Sequence, residues 1–203
     1  MYKSGITAAE LIESLREEAD ISIAVPNSAW VRAINAVEQF LYTEVLREYI
    51  AVRVDYDDVA DDTIVIGEIP VPTGAAVPEF DDIIRVFADE NEVERTGAVG
   101  FYEFPEKQLY CPGYDGTMKL NLPETPDEII LIVRLRPALK EENSADEVAL
   151  PPEFIDLAAS RMRGEIYKIA NEDGLAAKWL ADYNSLLESF KIWAAKRNER
   201  FGG

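Results

Sequence analysis

The sequence predicts an α+β protein: an antiparallel helical bundle interrupted by a β module built as a sandwich or small barrel. Three observations predict it. Apolar residues recur at three- and four-residue spacing at both ends of the chain, the mark of amphipathic helices. From Tyr49 the period changes to two, as Ile50, Val52, Val54 and Tyr56 alternate with Ala51, Arg53 and Asp55. Further short β-prone runs then follow, separated by Gly, Pro and Asp. The expected division is 1–48, the N-terminal helices; 49–149, an inserted β module; and 150–203, a helical hairpin with its tail.

Residues 7–19 read as a short helix whose start is a capping box. The Thr7 hydroxyl is placed to accept the Glu10 N–H, and the Glu10 carboxylate to accept the Thr7 N–H. A second helix follows Pro26, with Asn27 or Ser28 as its cap and Trp30, Ile34, Val37, Leu41 and Val45 as its stripe. After Tyr49–Tyr56 the strand candidates are Thr63–Ile66, Asp82–Ala88, Glu92–Arg95, Ala98–Phe104, Lys107–Cys111, Thr117–Leu122 and Glu128–Arg136. Asp115-Gly116 is the clearest hairpin bend. Residues 137–149 carry no strong pattern. Pro151 and Pro152 open a helix with the stripe Ile155, Ala159, Met162, Ile166 and Ile169. Asn171–Gly174 is the break, with Asp173-Gly174 as its turn chemistry. A second helix then presents Ala176, Trp179, Leu180, Tyr183, Leu186, Leu187, Phe190 and Trp193. Helices this amphipathic need one another's apolar faces, so all four are expected to bury their stripes together.

Composition excludes several chemistries. The 203 residues contain no histidine, which removes Ser-His-Asp and Cys-His catalysis and histidine metal sites. The single Cys111 has no partner within the chain for a disulfide. No apolar run reaches the roughly 18 residues of a membrane span, and no cationic, apolar leader opens the chain, so neither membrane nor export is expected. No phosphate-binding loop motif occurs. The net charge of −19 is unevenly placed: −4 over 1–48, −15 over 49–149 and zero over 150–203. An acidic field of this size repels nucleic acid.

The densest carboxylate group is Asp55, Asp57, Asp58, Asp61 and Asp62. It does not follow an EF-hand, because Ala60 stands where the glycine belongs and Ile66 where the bidentate glutamate belongs; a solvated acidic loop is the expectation. Asp81-Asp82 and Asp89–Glu92 offer paired carboxylates, but an acid-rich chain offers many such pairs. Arg134 and Arg136 alternate along the last strand and are read as a face paired with neighbouring acids. The aromatic and basic tail is the best functional candidate. In the stretch that starts at Phe190, Trp193 and Phe201 flank Lys196, Arg197 and Arg200, the residue types that dominate protein interfaces; the alternative is that Trp193 ends the core stripe and the cations complement the helix C-terminus.

Several stretches resemble the head–tail connector adaptor proteins of tailed bacteriophages. They are Trp30–Val37, Tyr110–Pro123, Ile129–Pro137, and Leu150-Pro-Pro-Glu-Phe154 with the helix to Ala170 and the partner helix Ala176–Ala194. The resemblance covers most of the chain. It implies a non-enzymatic structural protein without cofactor or metal, which forms a ring, usually of twelve copies, on the portal. Such a protein sits in the virion neck, after assembly in the host cytoplasm, and offers a platform to a stopper or tail-completion protein. By the same resemblance the portal contact falls to Phe190, Trp193, Lys196, Arg197, Arg200 and Phe201. Asp55, Asp57, Asp58, Asp61 and Asp62 become the first choice for acidic charge facing a channel through which DNA slides without specific binding. The alternatives are a cation-binding module built on the acidic loop, or a bacterial interaction domain sharing the helix–β–helix plan.

Overall fold

A computed structural model describes residues 1–19, 21 and 24–201, with the side chains of the last helix described through Arg197. The chain divides into two compact units, Met1–Leu46 with Pro137–Gly203, and Arg47–Arg136.

The first unit is helical. α1 (Ala8–Glu18) begins at the capping box, with Glu10 N–H donating to the Thr7 hydroxyl at 3.2 Å and Thr7 N–H donating to Glu10 Oε2 at 2.8 Å. Those bonds to the ionised carboxylate lower its pKa. α2 (Asn27–Phe40) is entered from Pro26, which holds the N-cap position. Neither Asn27 nor Ser28 is the cap, because both already lie inside the helix. The helix continues through a wider π turn, Leu41–Leu46. That widening turns Leu41, Tyr42 and Leu46 to the core together and leaves Val45 only half-buried.

α4 (Ile155–Ile169) follows a single tight turn over Pro152–Phe154, and α5 (Asp173–Phe201) runs back along it. The break falls earlier than the Asp-Gly pair: Asn171 takes the left-handed conformation (φ 60°), while Asp173 and Gly174 begin α5. α1, α2, α4 and α5 all contribute to one buried core that includes Leu15, Trp30, Ile34, Met162, Ile166 and Phe190. Ile169, the last residue of the expected α4 stripe, stands exposed.

α4 packs tightly against α5 at Gly164. A Cβ there would lie 2.7 Å from Leu180 Cδ2 and 2.8 Å from its Cγ. Gly164→Leu adds helix propensity but demands space that is already filled. We expect it to lower stability by about 1–3 kcal/mol, read as a reduced urea midpoint with an unchanged slope.

The segment returning to α4 looked patternless in the sequence, and it is held by the polar side of α2. Asn35 Nδ2 donates to the Lys140 carbonyl at 3.0 Å, and Lys140 N–H donates to Asn35 Oδ1 at 2.7 Å. Gln39 Nε2 donates to the Pro137 carbonyl at 2.6 Å. Glu38, 1% exposed, accepts the Ala149 N–H at 2.7 Å and faces Lys140 Nζ at 3.6 Å. Its pKa is raised by burial, and Lys140 only partly offsets that rise.

The second unit is one curled sheet of seven strands, a half-barrel. Its strands are β1 (Tyr49–Asp55), β2 (Thr63–Val65), β3 (Ile83–Ala88), β4 (Asn91–Arg95), β5 (Leu109–Pro112), β6 (Thr117–Asn121) and β7 (Glu128–Arg134). Their spatial order is β1-β7-β3-β4-β5-β6-β2. All pairs are antiparallel except β4–β5. The inward residues Val52, Ile64, Val86, Val93, Tyr110, Met118 and Leu131 form its core. Asp89 and Glu90, both at positive φ, turn β3 into β4, and Asp115-Gly116 turns β5 into β6.

Ala98–Phe104, expected as a strand, instead carries the short helix α3 (Ala98–Glu103), none of whose residues is buried. A strand there would need a neighbour to accept its ladder of hydrogen bonds, whereas a helical turn closes its hydrogen bonds within the segment, as Phe101 N–H does on the Gly97 carbonyl. Arg136 lies beyond the end of β7 and does not share a strand face with Arg134. It is bound by Asp82 at 2.6 Å and Glu79 at 3.3 Å, while Asp81 binds Arg95 at 2.6 Å. The adjacent carboxylates Asp81 and Asp82 are thus each held by a different arginine.

Candidate functional site

The C-terminal part of α5 meets an aromatic cluster that only the fold brings together. Phe190 stacks on Trp193, with ring centroids 5.5 Å apart and planes 17° apart. Phe154, delivered by the turn before α4, packs edge-on against both, at 4.8 Å from Phe190 and 5.2 Å from Trp193. Tyr2 approaches Trp193 at 5.6 Å, and the Arg197 guanidinium lies over the Tyr2 ring at 5.0 Å. Spacings of this kind are favourable ring–ring and cation–ring geometries. The N-terminal segment that carries Tyr2 is itself anchored, since Ser4 N–H donates to the Val148 carbonyl and Val148 N–H to the Ile6 carbonyl.

Burial sorts the tail candidates. Phe190 is 0% exposed and lies within the core. Trp193 and Arg197 are half-buried, and Lys196 is exposed. Arg200 and Phe201 continue the helix, but their side chains lie outside the described residues. Ile192, one turn before Lys196, is 57% exposed and gives that face an apolar patch outside the stripe of α5. Tyr2 gives no signal in the sequence, because a contact between the two ends of the chain leaves no periodicity. Phe154 carries a sequence signal only as part of the Leu150–Phe154 stretch.

All five aspartates of the acidic group are exposed. Asp55 closes β1 and accepts the Asp57 N–H at 3.1 Å. Asp57 and Asp58 occupy a single tight turn, and Asp61 and Asp62 both take positive φ just before β2. Asp62 accepts the Tyr56 hydroxyl, and this bond pushes the phenol's pKa up to about 12. Among the described residues no group of three or more Cys, Asp or Glu is arranged to hold a metal ion. Cys111 is buried on β5, and burial raises its pKa, so the thiol stays protonated at neutral pH. Among the described residues no helix is long and apolar enough to cross a membrane.

The arrangement therefore offers a basic, partly apolar helix face on one unit and an acidic, solvated edge on the other. Such surfaces bind and repel macromolecules. A comparison with curated proteins found no match. The SU10 adaptor protein family matches the chain over residues 6–202, nearly its whole length, and the protein belongs to that family of bacteriophage head–tail adaptors.

Proposed function

We propose that this protein is a non-enzymatic component of the virion neck. It docks as a ring, of about twelve copies on the resemblance given above, onto the portal, extends the DNA channel and offers a platform to a stopper or tail-completion protein. Family membership over nearly the whole chain is the observation that carries this reading. In it, the helical unit is the antiparallel bundle that docks, and the curled sheet is the inserted module.

The docking surface is the C-terminal end of α5. Lys196 and Ile192 supply the exposed contact, Arg197 and Trp193 its half-buried support, and Arg200 and Phe201 its continuation along the helix. Phe190 supports this surface from below, because it lies wholly within the core. Affinity comes from modest contacts multiplied around the ring. The exposed group Asp55, Asp57, Asp58, Asp61 and Asp62 lines the channel, where like charge keeps passing DNA from adhering.

Reversing the tail charge tests the docking surface. The double variant Lys196→Glu/Arg197→Glu is expected to weaken binding to the cognate portal by about tenfold or more, because like charges placed across an interface are costly. Co-sedimentation of folded variant with portal rings measures it. Undiminished binding by the folded variant would overturn the assignment of this surface.

A further inference from the structure

β7 is apolar on both of its faces. Ile129, Leu131 and Val133 are fully buried in the core of the sheet. Ile130 and Ile132 alternate with them and stand on the other, outer face, where among the described residues they join neither hydrophobic core. A strand with solvent on one side alternates apolar with polar residues, whereas a run apolar on both faces belongs to a strand covered on both. The neighbouring strands extend the patch. The register places Ala51 and Arg85 beside Ile132, and Arg53 and Phe87 beside Ile130. Tyr49, 46% exposed, stands beside Arg134 at the end of the strand.

Arg134 shows what the cover must carry. Arg53, Arg95 and Arg136 in the same unit each hold a carboxylate, on Glu128, Asp81 and Asp82. Among the described residues Arg134 holds none, and its Nε is shielded from solvent without an acceptor. A donor shielded from water and left unpaired is costly, so the cover that completes this face brings an anion beside its apolar groups.

α3 has that composition. None of its residues is buried. Val99 (73% exposed), Tyr102 (70% exposed) and Glu103 are spaced i, i+3 and i+4, so they share one face of the helix. Val99 and Glu103 are separated by about 6 Å along the helix axis, and Ile132 and Arg134 by about 7 Å along the strand. Each pair joins an apolar residue to a charged one, and the two charges are opposite. α3 does not cover β7 of its own sheet: it sits beside β5 and borders β6 at Lys119–Asn121, with β3 and β4 standing between β5 and β7.

We propose that α3 of one copy seats on the outer face of β7 of the next, with Val99 and Tyr102 on the apolar patch around Ile132 and the Glu103 carboxylate on the Arg134 guanidinium. The contact joins two different surfaces, so it propagates from copy to copy and closes into a ring when the rotation permits. It supplies a subunit contact for the ring proposed above and rests on that reading only for closure. A helix of 6 residues buries less than a standard protein interface, so assembly is weak in free solution and strengthens when copies gather on a template.

Charge exchange tests it. Glu103→Arg alone sets cation against cation, and Arg134→Glu alone sets carboxylate against carboxylate. Each variant is expected to self-associate about tenfold or more weakly than the wild type in sedimentation at high concentration, and to lose cooperativity in binding portal rings. An equimolar mixture of the two is expected to recover both, because alternating copies then meet with opposite charges at every contact. A folding defect would not be repaired by mixing. Tyr102→Ser, at an exposed position, keeps both charges and is expected to weaken association without changing the melting temperature. Single variants that assemble as the wild type does, or that stay apart on mixing, would overturn the contact and leave portal docking standing; so would a wild type that binds the portal without cooperativity. Recovery on mixing in protein that ignores the portal would support the contact and overturn the docking.

Discussion

Lys140→Met is expected to destabilise the protein by about 3–5 kcal/mol, the cost of leaving one member of a buried ion pair without the other. Lys140 is 5% exposed and Glu38 is 1% exposed. Without the ammonium at 3.6 Å, Glu38 Oε2 has no polar partner, and the Ala149 N–H alone faces the carboxylate. The loss depends on pH, and its sign follows from the direction of the Glu38 shift. A carboxyl whose folded pKa lies above its ordinary 4.5 binds its proton more tightly when folded. The stability tied to that proton is present below 4.5 and is lost as pH rises through the folded pKa. Removing Lys140 takes away the largest influence that lowers this pKa, so the variant loses more stability across that window than the wild type does. Urea unfolding at neutral and acidic pH measures it: the difference from wild type should be largest at neutral pH and shrink in acid. Glu38→Gln/Lys140→Met keeps an acceptor for Ala149 and removes both charges, so it should recover part of the loss. An equal loss at both pH values would mean that the pair is not the cause.

Phe190→Ala carries the second large effect, about 3–5 kcal/mol, the usual range for deleting a buried aromatic ring. The ring is 0% exposed and touches both Phe154 and Trp193, so its removal opens a cavity where α5 meets the turn before α4. Lys196→Glu, on an exposed position one and a half turns further along, should stay within about 0.5 kcal/mol of wild type. The two variants separate folding from docking. Phe190→Ala lowers the fraction folded, and Lys196→Glu lowers portal binding by molecules that are folded. Thermal unfolding and portal co-sedimentation on the same preparations tell them apart. Equal stabilities would mean that the aromatic cluster is not part of the core.

The helices were legible because their apolar spacing is local. Thr7 and Glu10 identified the start of α1, and Trp30, Ile34 and Val37 are buried as the period of α2 requires. Period two identified β1, and Asp115-Gly116 identified the β5–β6 turn. What escaped depends on partners distant in the chain. Asn35, Glu38 and Gln39 lie outside the apolar stripe expected of α2 and carry no local signal of a partner, yet they hold the return segment through bonds about a hundred residues away in sequence. Ala98–Phe104 carries strand-prone Val, Phe and Tyr but has no neighbouring strand to pair with, so β propensity misled there. Asp173-Gly174 looked like the turn, but Asn171 adopts the left-handed conformation first, and the helix restarts before the glycine is needed. In the tail, Phe190 and Trp193 share a stripe in sequence, and only the structure separates the buried ring from the half-buried one.

The most direct measurement of the central claim is negative-stain electron microscopy of this protein mixed with its cognate portal. A second ring stacked coaxially on the portal is the expected result. Bare portals at micromolar excess of the protein would contradict it.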